Sequence, residues 1–393
     1  MKINSPLYLS IFYGILFLSS GGQSQSFDQV YSENLNCINP SWAYDSRTFT
    51  VEKVEKEEKY KLMLGRVSDK GIGSPLMPVF KTEKKRGKKK KEKKERNAGW
   101  INLDERAVYF MAVEGEKNQY MKQIGIWANI DEIDRDRHIK FYKSRLFQKT
   151  TDTDRKTLLN SQSRYFTSIK DGGFYFINLS NHNKILRAAL PEKKILPIKG
   201  FNAIGNIGIS SLSASPDGTK LLVVHYDNTL TEIYDLEIEL NRNTVVSQNT
   251  VDKPDEELNF FAGIRYPDKN ISKYALMGAS EIMSQNFVCK VFIVQDNHTL
   301  ASFDGYWLSK EFDLYTKPVG QWIPSTGLFY YLKKAEQGGG TLYFWDGQNE
   351  INANLEISNI RDFKFSPDGK YLIAATLGGI LDSTPKLIIY KVN

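Results

Sequence analysis

The apolar residues of this chain fall into short runs of strand length, and two of these runs follow the same turn sequence. Residues 365–376 read FSPDGKYLIAAT, and residues 214–224 read ASPDGTKLLVV. In the tetrapeptide Ser-Pro-Asp-Gly, the proline presets φ, the aspartate caps its own backbone, and the glycine tolerates a positive φ. The runs that follow are rich in strand-forming residues, so each unit predicts a turn that leads into a β-strand.

Weaker copies of this unit recur along the chain and keep part of the turn chemistry. Their marker positions are Asp45, Asp104, Asp171, Asp217, Asp268, Ser325 and Asp368. These markers are 43 to 67 residues apart, and the shortest spacing matches one four-stranded propeller blade of about 40–45 residues. We therefore predict an all-β fold, a β-propeller of about seven four-stranded blades. Six or eight blades, or a β-sandwich pair, are the alternatives.

A propeller ring must be closed, often by pairing of its first and last strands. The run KLIIYKV at residues 386–392 predicts a strand at the end of the sequence, and residues 27–40 are the candidates for its partner. We therefore expect the two ends of the propeller region to meet in one sheet.

The segments SPDGTKLLVV and SPDGKYLIAA resemble the WD40-like repeat of TolB-type β-propellers, also called the SPDG repeat. The resemblance covers roughly residues 40–393 and implies a structural role for the turn residues. These are Ser215, Pro216, Asp217, Gly218, Ser366, Pro367, Asp368 and Gly369. The chain differs from eukaryotic WD40 proteins because Trp345-Asp346 is its only Trp-Asp pair and the paired Gly-His is missing.

The first residues have the layout of a secretory signal peptide. Lys2 precedes an apolar run at residues 7–18, and small and polar residues follow at 19–26. The run is shorter than the roughly 20 residues that a membrane-spanning helix needs. We therefore predict a signal peptide at 1–25, a single propeller domain at 26–393, and a secreted or periplasmic protein without a transmembrane span. An uncleaved N-terminal anchor is the alternative.

The positive charge of the chain is concentrated in one tract. Residues 81–96 carry 11 Lys or Arg and three Glu, a net charge of +8, whereas the whole chain carries +7. We predict a disordered insertion at 81–97 that contacts an anionic polymer or membrane surface, or else a solvated loop. The tract has no aromatic residue, which argues against specific recognition of nucleic acid. The candidate polyanion-binding residues are Lys84, Lys85, Arg86, Lys88, Lys89, Lys90, Lys91, Lys93 and Lys94.

Local motifs for catalysis or metal binding are missing from the sequence. Four scattered histidines form no metal-binding pattern, and no Gly-x-Ser-x-Gly elbow occurs. We therefore predict no catalytic residue, no cofactor and no metal ligand from local motifs. Cys37 and Cys289 are too few for a disulfide framework, although they could pair with each other.

Three Asn-x-Ser/Thr sequons begin at Asn178, Asn270 and Asn297. They would matter only in a eukaryotic secretory pathway. Chance produces such sequons at this rate, so the sequence by itself assigns none of them.

These observations favour an exported, non-enzymatic propeller that binds a protein or cell-envelope partner through its loops. The alternative is a propeller enzyme with a metal site at the central channel, such as a lactonase-like hydrolase or a quinone-dependent dehydrogenase. Such a site is assembled from several blades, so no local motif would reveal it.

Overall fold

The computed structural model of the protein is made of antiparallel β-strands. It describes residues 25–42, 46–55, 59–68, 71–72, 76–78, 94–101, 107–114, 122–129, 166–169, 173–178, 184–189, 194–201, 209–226, 231–280, 288–306, 320–335, 339–357, 359–378 and 384–393. The predicted signal peptide, except for residue 25, and the basic tract up to Lys93 lie outside these ranges. In the part of the chain that is described, no helix is long and apolar enough to cross a membrane.

The strands of the first half of the chain fall into sequential groups, except for the first strand. They are β1 (Phe27–Asn34), β2 (Cys37–Trp42), β3 (Thr48–Glu55), β4 (Lys59–Ser68), β5 (Gly71–Ile72), β6 (Met77–Pro78), β7 (Lys94–Ile101), β8 (Ala107–Glu114), β9 (Lys122–Asn129), β10 (Phe166–Ile169), β11 (Gly173–Asn178), β12 (Lys184–Ala189) and β13 (Lys194–Pro197). Hydrogen bonds join β2–β6 into a first sheet, β7–β9 into a second and β10–β13 into a third.

The second half of the chain continues the same arrangement. Its strands are β14 (Ile209–Ala214), β15 (Lys220–Tyr226), β16 (Thr231–Glu239), β17 (Thr244–Thr250), β18 (Asn259–Arg265), β19 (Lys273–Ala279), β20 (Cys289–Gln295), β21 (His298–Asp304), β22 (Gly320–Trp322), β23 (Phe329–Lys334), β24 (Gly340–Trp345), β25 (Glu350–Asn352), β26 (Ile360–Phe365), β27 (Tyr371–Thr376) and β28 (Lys386–Val392). The strands β14–β17 form a fourth sheet and β18–β21 a fifth. The sixth sheet contains two groups of strands. One group is β22–β25, and the other is β26–β28 together with β1. A single bridge between Gly340 and Ile360 connects the two groups.

The first strands of these groups lie side by side around a ring. The strand β2 contacts β7, β7 contacts β10, and the series continues through β14, β18, β22 and β26 back to β2. We call these first strands the inner strands. Several of them carry a β-bulge near their start, for example between Ile209 and Ser211 and between Ile360 and Asp362. A bulge increases the local twist of a strand, which suits an inner strand that must turn away from its neighbours.

The ring is closed by the two ends of the described chain. The strand β1 pairs antiparallel with β28, from Phe27 opposite Val392 to Asn34 opposite Lys386. The expected pairing of the first and last strands is therefore present, and residues 27–34 provide it. Residues 37–40 of the predicted closing segment instead belong to β2 of the first sheet.

The core lies between neighbouring sheets, and its central strands are buried on both faces. All six residues of β27 are buried, which explains their continuous apolar run. Leu372 and Ala374 pack with β23 and β24 of the same sheet, whereas Ile373 and Ala375 pack against Phe49 of the first sheet. Full burial of one such large aliphatic side chain contributes about 1.5–3 kcal/mol.

The predicted basic insertion at 81–97 overlaps a strand at its end. Residues 94–97 lie in β7, where Lys94 is opposite Val113 and Arg96 is opposite Met111. Strand pairing uses backbone hydrogen bonds, so charged residues at these positions do not prevent it. Residues 81–93 lie outside the described residues, so the predicted insertion stays a prediction there.

Candidate functional site

The repeated turns have the internal geometry that their sequence predicts. In the turn 215–218, the backbone N–H of Gly218 donates to the carbonyl of Ser215 at 2.9 Å, and Gly218 has φ 75°. The Ser215 hydroxyl donates to Asp217 Oδ1 at 2.7 Å, and the N–H of Thr219 donates to the same oxygen at 3.1 Å. The tetrapeptide therefore caps itself before β15 begins.

The second copy repeats these bonds one for one. The N–H of Gly369, at φ 74°, donates to the carbonyl of Ser366 at 2.9 Å, and the Ser366 hydroxyl donates to Asp368 Oδ1 at 2.6 Å. The N–H of Lys370 donates to Asp368 Oδ1 at 3.1 Å, as the N–H of Thr219 does to Asp217 Oδ1. Two turns about 150 residues apart in the sequence thus share these hydrogen bonds.

Side chains connect each turn to the sheet next to it. The Lys269 ammonium of the fifth sheet lies 2.8 Å from Asp217 Oδ2, and Tyr175 of the third sheet donates its hydroxyl to the Gly218 carbonyl at 2.6 Å. The N–H of Asp368 likewise donates to the Ser46 hydroxyl of the first sheet at 3.1 Å. The turns therefore form one continuous end of the ring.

We call this end the turn face, and it comprises the turns at 215–218, 266–272, 323–327 and 366–370. A Cβ added to Gly369 would lie 3.1 Å from Ile323, and one added to Gly327 would lie 3.3 Å from the Tyr266 hydroxyl. Neighbouring turns are thus in close contact. The turn face is therefore a continuous surface in which adjacent turns pack together.

Asp217 is the strongest electrostatic centre of the turn face. Partial burial acts to raise the pKa of its carboxyl group, but hydrogen bonds from Lys269, Ser215 and Thr219 outweigh burial. The pKa of Asp217 is therefore held well below its usual range. This carboxylate remains ionised at every physiological pH and holds two sheets together.

Polar side chains cap the open edges of the inner strands. The Gln321 amide donates to the Phe365 carbonyl at 3.2 Å and accepts from the Phe365 N–H at 2.9 Å. In the same way, the hydroxyl of Ser213 accepts from the N–H of Arg265 at 3.0 Å, and that of Thr167 accepts from Ala214. Three of the described inner strands thus satisfy backbone groups of the next one, which connects their sheets.

A buried ion pair joins the fourth and fifth sheets. Arg265 Nη1 lies 2.5 Å from Asp235 Oδ1, and the Tyr274 hydroxyl donates to Asp235 Oδ2 at 2.7 Å. The Arg265 side chain has no exposed surface, and that of Asp235 is 6% exposed. Sequence reasoning missed this cluster, because the three residues belong to three different strands and have no common spacing.

An aromatic cage lies between the fifth sheet and the β22–β25 group. The Lys273 ammonium is 4.6 Å from the ring centre of Trp345, 5.1 Å from that of Trp322 and 5.4 Å from that of Tyr266. Burial lowers the pKa of Lys273. The Trp322 indole also donates to the Ile264 carbonyl at 3.3 Å, so this tryptophan joins the two groups by two kinds of contact.

The titratable side chains of the described residues form no candidate metal site. Within these residues, no group of three or more His, Cys, Asp and Glu side chains could hold a metal ion. His225 is buried against the rings of Phe201 and Tyr234. Cys37 and Cys289 are both free thiols, and burial raises the pKa of Cys289 to about 12, so neither a disulfide between them nor a reactive thiolate is present.

Of the candidate polyanion-binding residues, only Lys94 lies in a described segment, at the start of β7. The others, from Lys84 to Lys93, lie outside the described residues, so their interaction with a polyanion stays a prediction.

Comparisons with known proteins identify the fold. No family model and no curated protein matches the chain. Solved structures do match. A chain of the mitotic checkpoint complex matches at 9% identity over 100% of this chain and 99% of that one, with a TM-score of 0.53. The Dos1 propeller matches at 10% identity over 93% and 95% of the two chains, with a TM-score of 0.54. Hydrazine synthase from Kuenenia stuttgartiensis matches at 11% identity over 88% and 94%, with a TM-score of 0.51.

These neighbours are β-propellers, so the fold of this chain is an all-β propeller, as its repeated turns predict. At these identities the likeness shows the fold alone. The TolB-type resemblance of the turns stays a prediction, because no family model matches.

Proposed function

We propose that the protein is an exported, non-enzymatic propeller of seven blades that binds a protein partner through its turn face. One observation carries the proposal: side chains connect adjacent turns across the sheet boundaries, as Lys269 does with Asp217. A preformed surface with charged and aromatic groups is suited to protein recognition. The propeller neighbours suggest a protein-interaction module, and the match to a chain of a mitotic checkpoint complex supports it by analogy of fold.

Export is the second part of the proposal. The predicted signal peptide ends at residue 25, and β1 begins at Phe27. Removal of the signal would therefore leave the closing strand complete. This supports a mature chain that folds in a secreted or periplasmic compartment.

Point substitutions on the turn face test the binding proposal. Pro216 and Lys370 are exposed on this face, and Pro216→Arg and Lys370→Glu change its shape and charge without altering the core. Asn249→Arg on the exposed outer strand β17 is the matched control. Tagged mature chains are incubated with the extracellular or envelope fraction of the source cells, and captured proteins are quantified by mass spectrometry.

The expected result is a partner that the unchanged protein and Asn249→Arg retain equally and that the two turn-face variants lose at least about tenfold, near 1.4 kcal/mol. A partner retained equally by all four proteins would place the binding surface elsewhere. A stoichiometric divalent metal in the purified protein, found by elemental analysis, would instead favour the enzyme alternative.

The basic tract has a separate test. Near-continuous positive charge binds anionic polymers by counterion release, so retention on heparin should fall steeply with salt. Deletion of residues 81–93 keeps β7 intact and should shift elution to clearly lower salt. Unchanged elution would show that the tract makes no such contact.

A further inference from the structure

Two of the three sequons lie in turns of the fifth sheet. Asn270 is in the connection between β18 and β19, and Asn297 is in the tight turn between β20 and β21. Successive strands of this sheet are antiparallel, so the first and third connections lie at the same end. The N–H of Asp296 donates to the Ser272 carbonyl at 3.0 Å and joins the two turns directly. Both asparagines therefore belong to the turn-face end of one sheet.

The atom that would be modified is accessible at both positions. Both asparagines are exposed, and Asn297 has φ 61° at the tip of its turn. Asn297 Oδ1 accepts a long bond of 3.5 Å from the N–H of Asp252. Among the described residues, neither side-chain Nδ2 has a hydrogen-bond partner. A glycan on either nitrogen would thus break no contact of the folded protein.

The third sequon differs in its placement. Asn178 is the last residue of β11, where it pairs with Lys184, and its sequon serine lies outside the described residues. We make no assignment for it.

We propose that Asn270 and Asn297 are N-glycosylation sites of the mature protein. In the reaction, the Asn Nδ2 loses a proton and forms a bond to C1 of an oligosaccharide. The bond between C1 and its lipid-linked pyrophosphate breaks, and the lipid pyrophosphate leaves. The inference rests on the export part of the proposed function, because this donor is available in the lumen of a secretory pathway.

The experiment expresses the full chain in cultured animal cells, once with its own N-terminal segment and once with an established secretion signal. Protein from the medium is treated with peptide-N-glycosidase in heavy-oxygen water, which converts each glycosylated Asn into a labelled Asp. Peptide mass spectrometry then locates the label. We expect labelled residues at Asn270 and Asn297.

Matched variants assign each glycan to its site. Asn270→Gln and Asn297→Gln should each remove one glycan, and Ser272→Ala should have the same effect as Asn270→Gln. Ser272→Thr should keep the glycan, and Asn249→Gln, which is exposed but outside any sequon, should keep both.

Secreted protein with both asparagines unlabelled would overturn the inference, whichever signal was used. Retention inside the cell with the chain's own N-terminal segment, together with labelled sites behind the foreign signal, would contradict the proposed export and with it the inference, while showing that both asparagines can accept a glycan.

Discussion

At the residue scale, the buried ion pair of Asp235 and Arg265 is a site where a single substitution should be costly. Removal of one partner leaves the other charge buried without compensation, which typically costs about 3–5 kcal/mol. We expect Asp235→Ala to lower the free energy of unfolding by this amount, as measured by urea denaturation.

Glu237 provides a matched control for that variant, because it lies two residues further along the same strand. It forms a surface ion pair of 2.9 Å with Lys220, and its side chain is 47% exposed. Glu237→Ala should cost only about 0–1 kcal/mol. Equal losses for the two variants would show that the buried pair contributes no more than a surface pair.

Asp217 should make stability depend on pH in a defined direction. Its folded-state pKa is below its unfolded value, so its contribution is present above the unfolded pKa of about 3.9 and is lost as the pH falls further. The stability difference between the unchanged protein and Asp217→Asn should therefore shrink below about pH 4. Urea denaturation at a series of pH values measures it.

The exposed Asp252 serves as the control for this series. Asp252→Asn removes one exposed negative charge and so controls for the change in net charge at each pH. If Asp217→Asn followed the unchanged protein at every pH, the interactions of Asp217 would not contribute to folding.

At the element scale, the inner strands depend on side chains that cap their open edges. Gln321→Ala leaves the backbone N–H and C=O of Phe365 without their partner, and we expect a loss of about 1–3 kcal/mol. The same substitution at the exposed Gln29 of β1 should cost within about 0.5 kcal/mol. If Gln321→Ala lowered the free energy of unfolding no more than Gln29→Ala, water would be replacing the hydrogen bonds of the Gln321 side-chain amide.

The turns show which part of an element the sequence predicts. The bonds within Ser215, Asp217 and Gly218 follow from the chemistry of four consecutive residues, and the structure contains them. The contact of Asp217 with Lys269 spans 52 residues of sequence and has no local signal. Local turn geometry was therefore predictable, but the connection between turns was not.

At the scale of the whole molecule, the strand β1 determines whether the ring is closed. Deletion of residues 26–34 exposes the edge of β28 and removes Phe27 from contact with Phe365 and Tyr390. We expect the shortened chain to lose its single cooperative unfolding transition and to aggregate, because an open strand edge pairs with other chains. Thermal unfolding and light scattering measure both effects.

A circular permutant separates ring closure from chain connectivity. The N–H of Asn393 donates to the Ser26 carbonyl at 3.0 Å, so a short Gly-Ser linker can join the two ends. New ends placed in the exposed turn between Gly347 and Gln348 should leave unfolding cooperative. A permutant that failed to fold while the linear chain folded would show that this turn must stay intact.

The sequence by itself determined the fold class and the turns, because these depend on local chemistry: strand-length apolar runs, Ser-Pro-Asp-Gly tetrapeptides and their spacing. It also indicated which segments close the ring. Only the tertiary structure decided that Arg265 pairs with Asp235, that Gln321 caps the next inner strand, and that two sequons share one exposed end. The first two contacts join residues 30 and 44 positions apart, and the two sequon asparagines are 27 positions apart, so the packing of strands and sheets around the ring decides which of these residues meet.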